Sequence, residues 1–336
     1  MRALDRKLVR ELWRLKGQVF SIAMVVATGI MSVVTVRGGY DSLVVAQARY
    51  YEETRFADVW ASVKRAPEAV AREVARVEGV LRVDTRVSAL ATLDLEGMTA
   101  PGTGRFVSLP GRGRPPINDI RLLAGRYLVP GARDEVLVNE KFAEARGLLP
   151  GDSVVAVLNG RRRTLDIVGI ANSPEFSYSV PPGSLYPDDD RYGVFWMARD
   201  ALGAAYDLDG AFNEVVLSVA PGTDPGAVAR RVDEVLDRYG GRGAYPREDQ
   251  ISHQILQAEL DQNRVTSATI PLVFLAVAAF LLNLVLGRMI STERTEIAVL
   301  KAFGYRDAEV GRHYLFFALA AVGIGGLVGG LGGVWV

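Results

Sequence analysis

The sequence predicts an α-helical membrane protein with a large extracytoplasmic α+β domain, a split α/β lobe holding an inserted β-rich lobe. Three observations predict it. Residues 17–36 and 266–287 (TSATIPLVFLAVAAFLLNLVLG) carry no formal charge over about 20 residues each, enough for a helix to cross a hydrocarbon core about 30 Å thick. Between them, residues 38–265 show the alternating and helical periods of a water-soluble α+β body, punctuated by Gly and Pro. Arg10, Arg14 and Lys16 precede the first run, and Arg288, Arg294, Lys301 and Arg306 follow the second. Basic flanks stay in the cytoplasm, so the long segment between them is assigned to the outside.

Composition narrows the chemistry. The chain has 336 residues, 49% hydrophobic, with 39 Lys+Arg against 39 Asp+Glu, so no net field favours nucleic acid. Cysteine is absent, which removes disulfides, thiol nucleophiles and Cys-based zinc sites. The two histidines, His253 and His313, offer few bases for catalysis. No catalytic, cofactor-binding or metal-ligating set is therefore predicted.

Residues 1–16 place Leu4, Leu8, Leu12 and Leu15 on one helical face, with Arg2, Arg6, Lys7, Arg10 and Arg14 spread over the rest. That pattern predicts an amphipathic helix on the cytoplasmic membrane surface. A basic start followed by an apolar run also opens a secretory signal. The apolar run here is longer than the usual signal core of about 7–15 residues, and Ala46-Gln47-Ala48 lies too far downstream for cleavage. Residues 17–37 are therefore the first span.

Outside the membrane, residues 58–63 are predicted as a strand, 67–78 as a helix opened by Pro67, and 80–95 as strand. The order returns late, with a strand at 214–219, a helix over 224–239 started by Pro225, and a short strand near Ala244. Two such units at the two ends predict one split lobe. Between them, about 100–200 is the inserted β-rich lobe. Residues 101–116, rich in Gly, Pro and Arg, are expected as a loop. Then come a strand at 135–139, a helix at 140–146 stopped by Gly147, and strands at 153–158 and 162–170 joined by Asn159-Gly160. Residues 173–191 read as a long loop, and Asp188-Asp189-Asp190 within it as a solvated turn, because the Gly and Glu spacing of a calcium loop is missing.

From Glu248 the chain turns helical, with Ile251, Ile255, Leu256 and Leu260 on one face. No Gly or Pro interrupts before Pro271, so a stalk helix is expected to run straight into the second span, 266–288. His253 on that stalk reads as a packing or surface residue. Residues 289–313 form a cytoplasmic segment whose polar helix stops at Gly304. The third span is 314–336, and because the chain ends inside this apolar run a further span is expected. Gly325, Gly326, Gly329, Gly330 and Gly333 predict close packing of this span against another helix in lipid. They are no dinucleotide fingerprint, since no G-x-G-x-x-G or preceding strand occurs, and no G-x-x-x-x-G-K-[ST] stands anywhere in the chain.

The segment ERTEIAVLKAFGY, Glu293 to Tyr305, together with the order of spans and external domain, resembles the permease subunits of type VII ABC transporters, the group of MacB, FtsX and the lipoprotein-releasing Lol permeases. The likeness covers essentially the whole chain and is sharpest in Glu296-Ile297-Ala298-x-Leu300-Lys301-Ala302-x-Gly304. Arg294 stands two residues before Glu296, where many members place an arginine three before. The resemblance implies that this segment contacts a separate ATPase subunit through Glu293, Arg294, Glu296, Ile297, Leu300, Lys301 and Gly304, with Ile297 and Leu300 suited to dock in a groove and Glu293, Glu296 and Lys301 to make rim contacts. It also implies a second permease protomer and a plasma-membrane location. The role implied is the coupling of ATP hydrolysis on the partner to extracytoplasmic movement, exporting or extracting a lipid, lipoprotein, peptide or drug. An alternative on the same fold is a mechanotransducer that activates an external partner such as a cell-wall hydrolase. A two-span sensor is disfavoured by the re-entry of the chain into the membrane at Tyr314.

Overall fold

The computed structural model describes residues 3–95, 101–184 and 186–335, and all their side chains except those of residues 3–6 and 268. The expected faces of Arg2, Leu4 and Arg6 lie outside the described side chains. Two compact units divide the chain, one of residues 47–257 and one of residues 1–46 with 258–336.

In chain order the elements are α1 (Ala3–Arg14), α2 (Lys16–Glu53), β1 (Val59–Pro67), α3 (Val70–Val74), β2 (Val80–Arg86), β3 (Ser88–Asp94), β4 (Gly102–Leu109), β5 (Arg121–Gly125), β6 (Glu135–Asn139), α4 (Glu140–Arg146), β7 (Ser153–Leu158), β8 (Arg161–Asn172), β9 (Tyr192–Ala198), α5 (Arg199–Ala205), β10 (Ala211–Val219), α6 (Pro225–Leu236), β11 (Gly241–Pro246), α7 (Ile251–Thr292), α8 (Arg294–Ala302) and α9 (Asp307–Trp335). Among the described residues, three helices, α2, α7 and α9, are long and apolar enough to cross a membrane.

In the unit of residues 47–257, a four-stranded antiparallel sheet runs β11-β1-β10-β2. Both β-α-β units of the sequence therefore enter one sheet, in the split arrangement where each half supplies an outer strand. Alternation in β1 sends Val59, Ala61 and Val63 into the core with Val70 and Val74 of α3 and Val228, Val232 and Leu236 of α6. Asp224 caps α6, its carboxylate accepting from the backbone N–H of Gly226 and Ala227, with Pro225 in the first turn.

The second sheet runs β5-β8-β6-β9-β4-β3-β7 and closes on itself, because β8 pairs with β7 through its first half and with β5 and β6 through its second. Phe106, Phe142, Phe195, Val136 and Leu165 fill it. The β7–β8 turn uses Asn159 (φ 47°) and Gly160 (φ 79°), both left-handed as a two-residue hairpin requires.

Several expectations change. The glycine-rich stretch 101–116 is a loop only in its second half: residues 110–116 carry no helix or strand, but residues 102–109 form β4, paired with β3 and β9, where a Cβ on Gly102 would meet Arg191 O, just before β9, at 2.9 Å and one on Gly104 would meet Leu93 Cδ2 of β3 at 2.9 Å. The glycines of β4 are there for close approach, not for flexibility. Pro67 closes β1, paired with Ala211, instead of opening a helix, and α3 spans only five residues. Residues 80–95 split at Val87 between the two sheets, the crossing held by Asn213, which accepts from Ser88 N at 2.8 Å and donates to Ser88 O at 2.7 Å. The closed sheet thus begins at Ser88, twelve residues before the expected start of the insertion. The helix expected as the first span continues to Glu53, and the one expected as the third begins at Asp307.

Candidate functional site

In the unit of residues 1–46 and 258–336, the polar segment predicted for contact with a partner forms α8, which begins one residue after the break at Glu293 and stops at Gly304 (φ 89°). The predicted residues separate into two groups. Glu293, expected at a rim, is 3% exposed and committed inward: its Oε1 accepts from Arg14 at 2.5 Å, and its Oε2 accepts from Lys7 at 3.1 Å and Tyr314 Oη at 3.2 Å. Ile297 is half-buried against the apolar cluster of Ile22, Val26, Met289 and Phe317. Both therefore anchor α8 within its own unit. Arg294 and Lys301 are exposed, Lys301 pairing with Asp307 at 2.6 Å, and Leu300 is half-buried. Glu296 is 57% exposed at its side chain and accepts from Lys7 at 2.7 Å. Sequence reasoning missed Val299 and Phe303, which are 49% and 80% exposed and four residues apart. Their spacing was the available signal, since positions i and i+4 share a helix face.

The anchor of α8 is a cluster of charges from elements far apart in sequence. Lys7 on α1 also binds Glu11 at 2.9 Å, and Glu11 Oε2 lies 2.7 Å from His313 Nε2. Burial, the largest influence on Lys7, works against its ammonium form, but hydrogen bonds to Glu296, Glu11 and Glu293 together raise its pKa. Burial likewise pushes the Glu11 carboxyl up, and His313 and Lys7 outweigh it, leaving the pKa lowered. Glu11, Glu293 and Glu296 bring carboxylate oxygens within 4.8 Å of one another, a spacing a cation would fit, and Lys7 already occupies that role.

The glycines of α9 also separate. A Cβ on Gly325 would lie 2.5 Å from Ala23 O, one on Gly329 2.4 Å from Ala27 O, and one on Gly333 2.7 Å from Val34 Cβ. These three meet α2 in the close backbone approach that small residues allow. Gly326 would make only an ordinary contact, 3.5 Å to Ile30 Cδ1, and Gly330 would meet nothing within 4 Å.

In the unit of residues 47–257, a second buried charge network centres on Glu175 in the long loop. Arg86 on β2 donates to both Glu175 oxygens and, at 2.6 Å, to Glu214 on β10. Trp60 Nε1 donates to Glu175 at 3.0 Å and Asn118 Nδ2 at 2.9 Å, while Glu175 O accepts from Gln250 at 2.7 Å and Ser252 at 2.9 Å at the start of α7. Arg105 of β4 reaches Glu214 at 3.3 Å. Burial alone would push the Arg86 guanidinium down, but Glu175 and Glu214 hold its pKa above the arginine norm. Burial would raise the Glu214 carboxyl, and Arg86 with Arg105 keeps it lowered. One loop thereby ties both sheets to the first turn of α7. His253, next along α7, is half-buried with Nδ1 3.0 Å from Tyr51 Oη, and burial together with Arg247 lowers its pKa.

Comparison with known families adds to this geometry. Residues 19–235 match the MacB-like periplasmic core domain, and residues 268–336 match the FtsX-like permease C-terminal region. Among solved structures, the chain is similar to the extracellular domain of the noncanonic ABC-type transporter YknZ from Gram-positive bacteria, at 11% identity over 56% of this chain and 98% of that one, TM-score 0.36. It is similar to the periplasmic region of MacB from Actinobacillus actinomycetemcomitans, at 9% identity over 64% and 97%, TM-score 0.36. A domain of a permease protein from Porphyromonas gingivalis matches at 15% identity over 57% and 90%, TM-score 0.31. At these TM-scores the three likenesses bear no weight beside the family matches. No curated protein matches the chain.

Proposed function

The chain belongs to the MacB/FtsX-like family of ABC-transporter permeases, and on that premise we propose that it couples a separate ATPase subunit to movements of an external domain. In this reading α2, α7 and α9 cross the plasma membrane and residues 54–250 lie outside. Nucleotide-driven closure of the ATPases, each on one of two permease protomers, moves α8, and α7 carries the displacement outward to the loop around Glu175. The work done outside is export or extraction of a lipid, lipoprotein, peptide or drug.

The observation that carries the reading is α8. Within the chain it stands between two apolar helices, and its Val299 and Phe303 are exposed while Glu293 and Ile297 fasten it from behind. A short helix with an exposed apolar pair suits a groove on a partner. ATP hydrolysis is assigned to that partner.

Membrane topology is tested by thiol labelling. Ala156 is fully buried and would report folding rather than side, whereas Leu149 is 65% exposed in the same domain. Leu149→Cys, in a chain without native cysteine, is expected to react with an impermeant maleimide in intact cells (spheroplasts where an outer membrane intervenes). Reaction only after lysis would reverse the orientation and overturn the proposal.

A further inference from the structure

The membrane reading above puts Lys16 and Arg288 at the cytoplasmic boundary of their spans, and the present inference rests on it. A cavity of about 330 Å³ opens there, between the end of α1, the first turn of α2, the last turns of α7 and the first turn of α8. Its size is at the lower end of the range for small-molecule sites, about 300–1,000 Å³. Leu15, Val285 and Met289 supply apolar lining, and Arg14, Arg288 and Glu296 supply charge. Lys16 is the last charge before one apolar run and Arg288 the first after another. Two helices therefore place the cavity, independently, at the depth of lipid headgroups.

The charges select the headgroup. Glu293 also lines the cavity, but both its oxygens are taken by Arg14, Lys7 and Tyr314. Arg14 uses one nitrogen on Glu293, is 57% exposed, and retains other donors. The Arg288 side chain makes no ion pair or hydrogen bond among the described residues. Glu296 gives Oε2 to Lys7, and its Oε1 makes no hydrogen bond among the described residues. The lining offers a free cation, a partly free cation and one free carboxylate oxygen. A purely anionic headgroup would meet Glu296, and a purely cationic one would meet Arg288. A headgroup carrying a phosphate and a primary ammonium satisfies both, because the ammonium donates to a carboxylate where a trimethylated amine cannot.

We propose that this cavity binds an aminophospholipid of the phosphatidylethanolamine type, its phosphate on Arg288 and Arg14, its ammonium on Glu296, and its acyl chains starting along Leu15 and Val285. The lipid then bridges α1 and the start of α8.

The test uses the full chain, purified in mild detergent and presented with phosphatidylethanolamine, phosphatidylcholine or phosphatidylglycerol of identical acyl chains, with retained lipid counted by native mass spectrometry. Retention of the ethanolamine lipid is expected roughly tenfold above the choline lipid, as one charge-assisted hydrogen bond allows. Arg288→Gln is expected to lower retention of all three, and Glu296→Gln to bring the ethanolamine lipid down to the choline level. Arg264→Gln, at a position remote from the cavity lining, serves as the unchanged control, and a thermal transition at the wild-type temperature confirms that each variant is folded. Equal retention of the ethanolamine and choline lipids, preference for phosphatidylglycerol, or indifference to Arg288→Gln would overturn the assignment. Displacement by millimolar soluble phosphoethanolamine as effective as by lipid would assign the site to a free metabolite and overturn the lipid. Leu149→Cys labelling reads the membrane orientation separately, so failure of the lipid site and failure of the topology give different results.

Discussion

Arg86→Met is expected to destabilise the unit of residues 47–257 by about 3–5 kcal/mol, because removing one partner of a buried ionic group strands the others. Glu175 and Glu214, 6% and 4% exposed at their side chains, would be left facing each other without the guanidinium that neutralises both. For a unit of this size the loss corresponds to a fall in melting temperature of about 6–20 °C. The pH dependence carries a sign. In the native chain the Glu214 pKa is lowered, so its contribution is present above the unfolded pKa and is lost as pH falls through the folded one. In Arg86→Met the stronger of the two cations that offset burial at Glu214 is gone and only Arg105 remains, so the Glu214 carboxyl is held less firmly in its charged form. The deficit of the variant should then shrink as pH is lowered toward about 5 and widen toward about 8. Arg162→Met serves as the contrast, since the Arg162–Asp94 pair is 70% and 60% exposed, and an exposed pair contributes about 0–1 kcal/mol. Calorimetry or intrinsic fluorescence across pH on the full chain checks both. Equal melting of the two variants would remove the Glu175 network from the account.

Gly329→Ala is expected to lower the stability of the helical unit by about 1–3 kcal/mol, the cost of overpacking a close contact. The added carbon would lie 2.4 Å from Ala27 O and 2.9 Å from Ala27 Cα. Backbone atoms cannot swing aside, so α9 and α2 must separate. Gly330→Ala, one residue on, meets nothing within 4 Å and should be neutral. Thermal unfolding in detergent compares the two, and a neutral Gly329→Ala would reject the seam.

The contrast between those glycines shows where the sequence is informative. Two interleaved stripes, 325-329-333 and 326-330, have the same four-residue period. Spacing identifies a packing face, while the choice between stripes depends on how α9 is rotated against α2. The presence of the three long apolar helices, the Asn159-Gly160 hairpin and the Asp224-Pro225 start of α6 were legible because their causes are local: an uncharged run, positive φ, a capping carboxylate. The β4 strand was hidden because Gly102 and Gly104 carry a turn signal in sequence, and only the neighbouring strands β3 and β9 turn them into sites of close approach. The Glu175 network was invisible for a related reason. Its partners Trp60, Arg86, Asn118 and Gln250 lie 57 to 115 residues away. Glu293 was misread by the general rule that charged residues face solvent. Lys7 and Arg14, which allow its burial, stand 286 and 279 residues earlier.

The most direct test of the central claim, that a separate ATPase grips this chain at α8, is quantitative co-purification of an ABC ATPase identified by mass spectrometry. Phe303 is 80% exposed, so Phe303→Glu leaves the fold of the chain itself undisturbed and places a charge where a partner's apolar groove would have to desolvate it. The wild-type chain is expected to bring the ATPase with it, and Phe303→Glu to lose it by a factor of about ten or more, with membrane insertion unchanged. Recovery of the ATPase at the wild-type level with Phe303→Glu would contradict the claim.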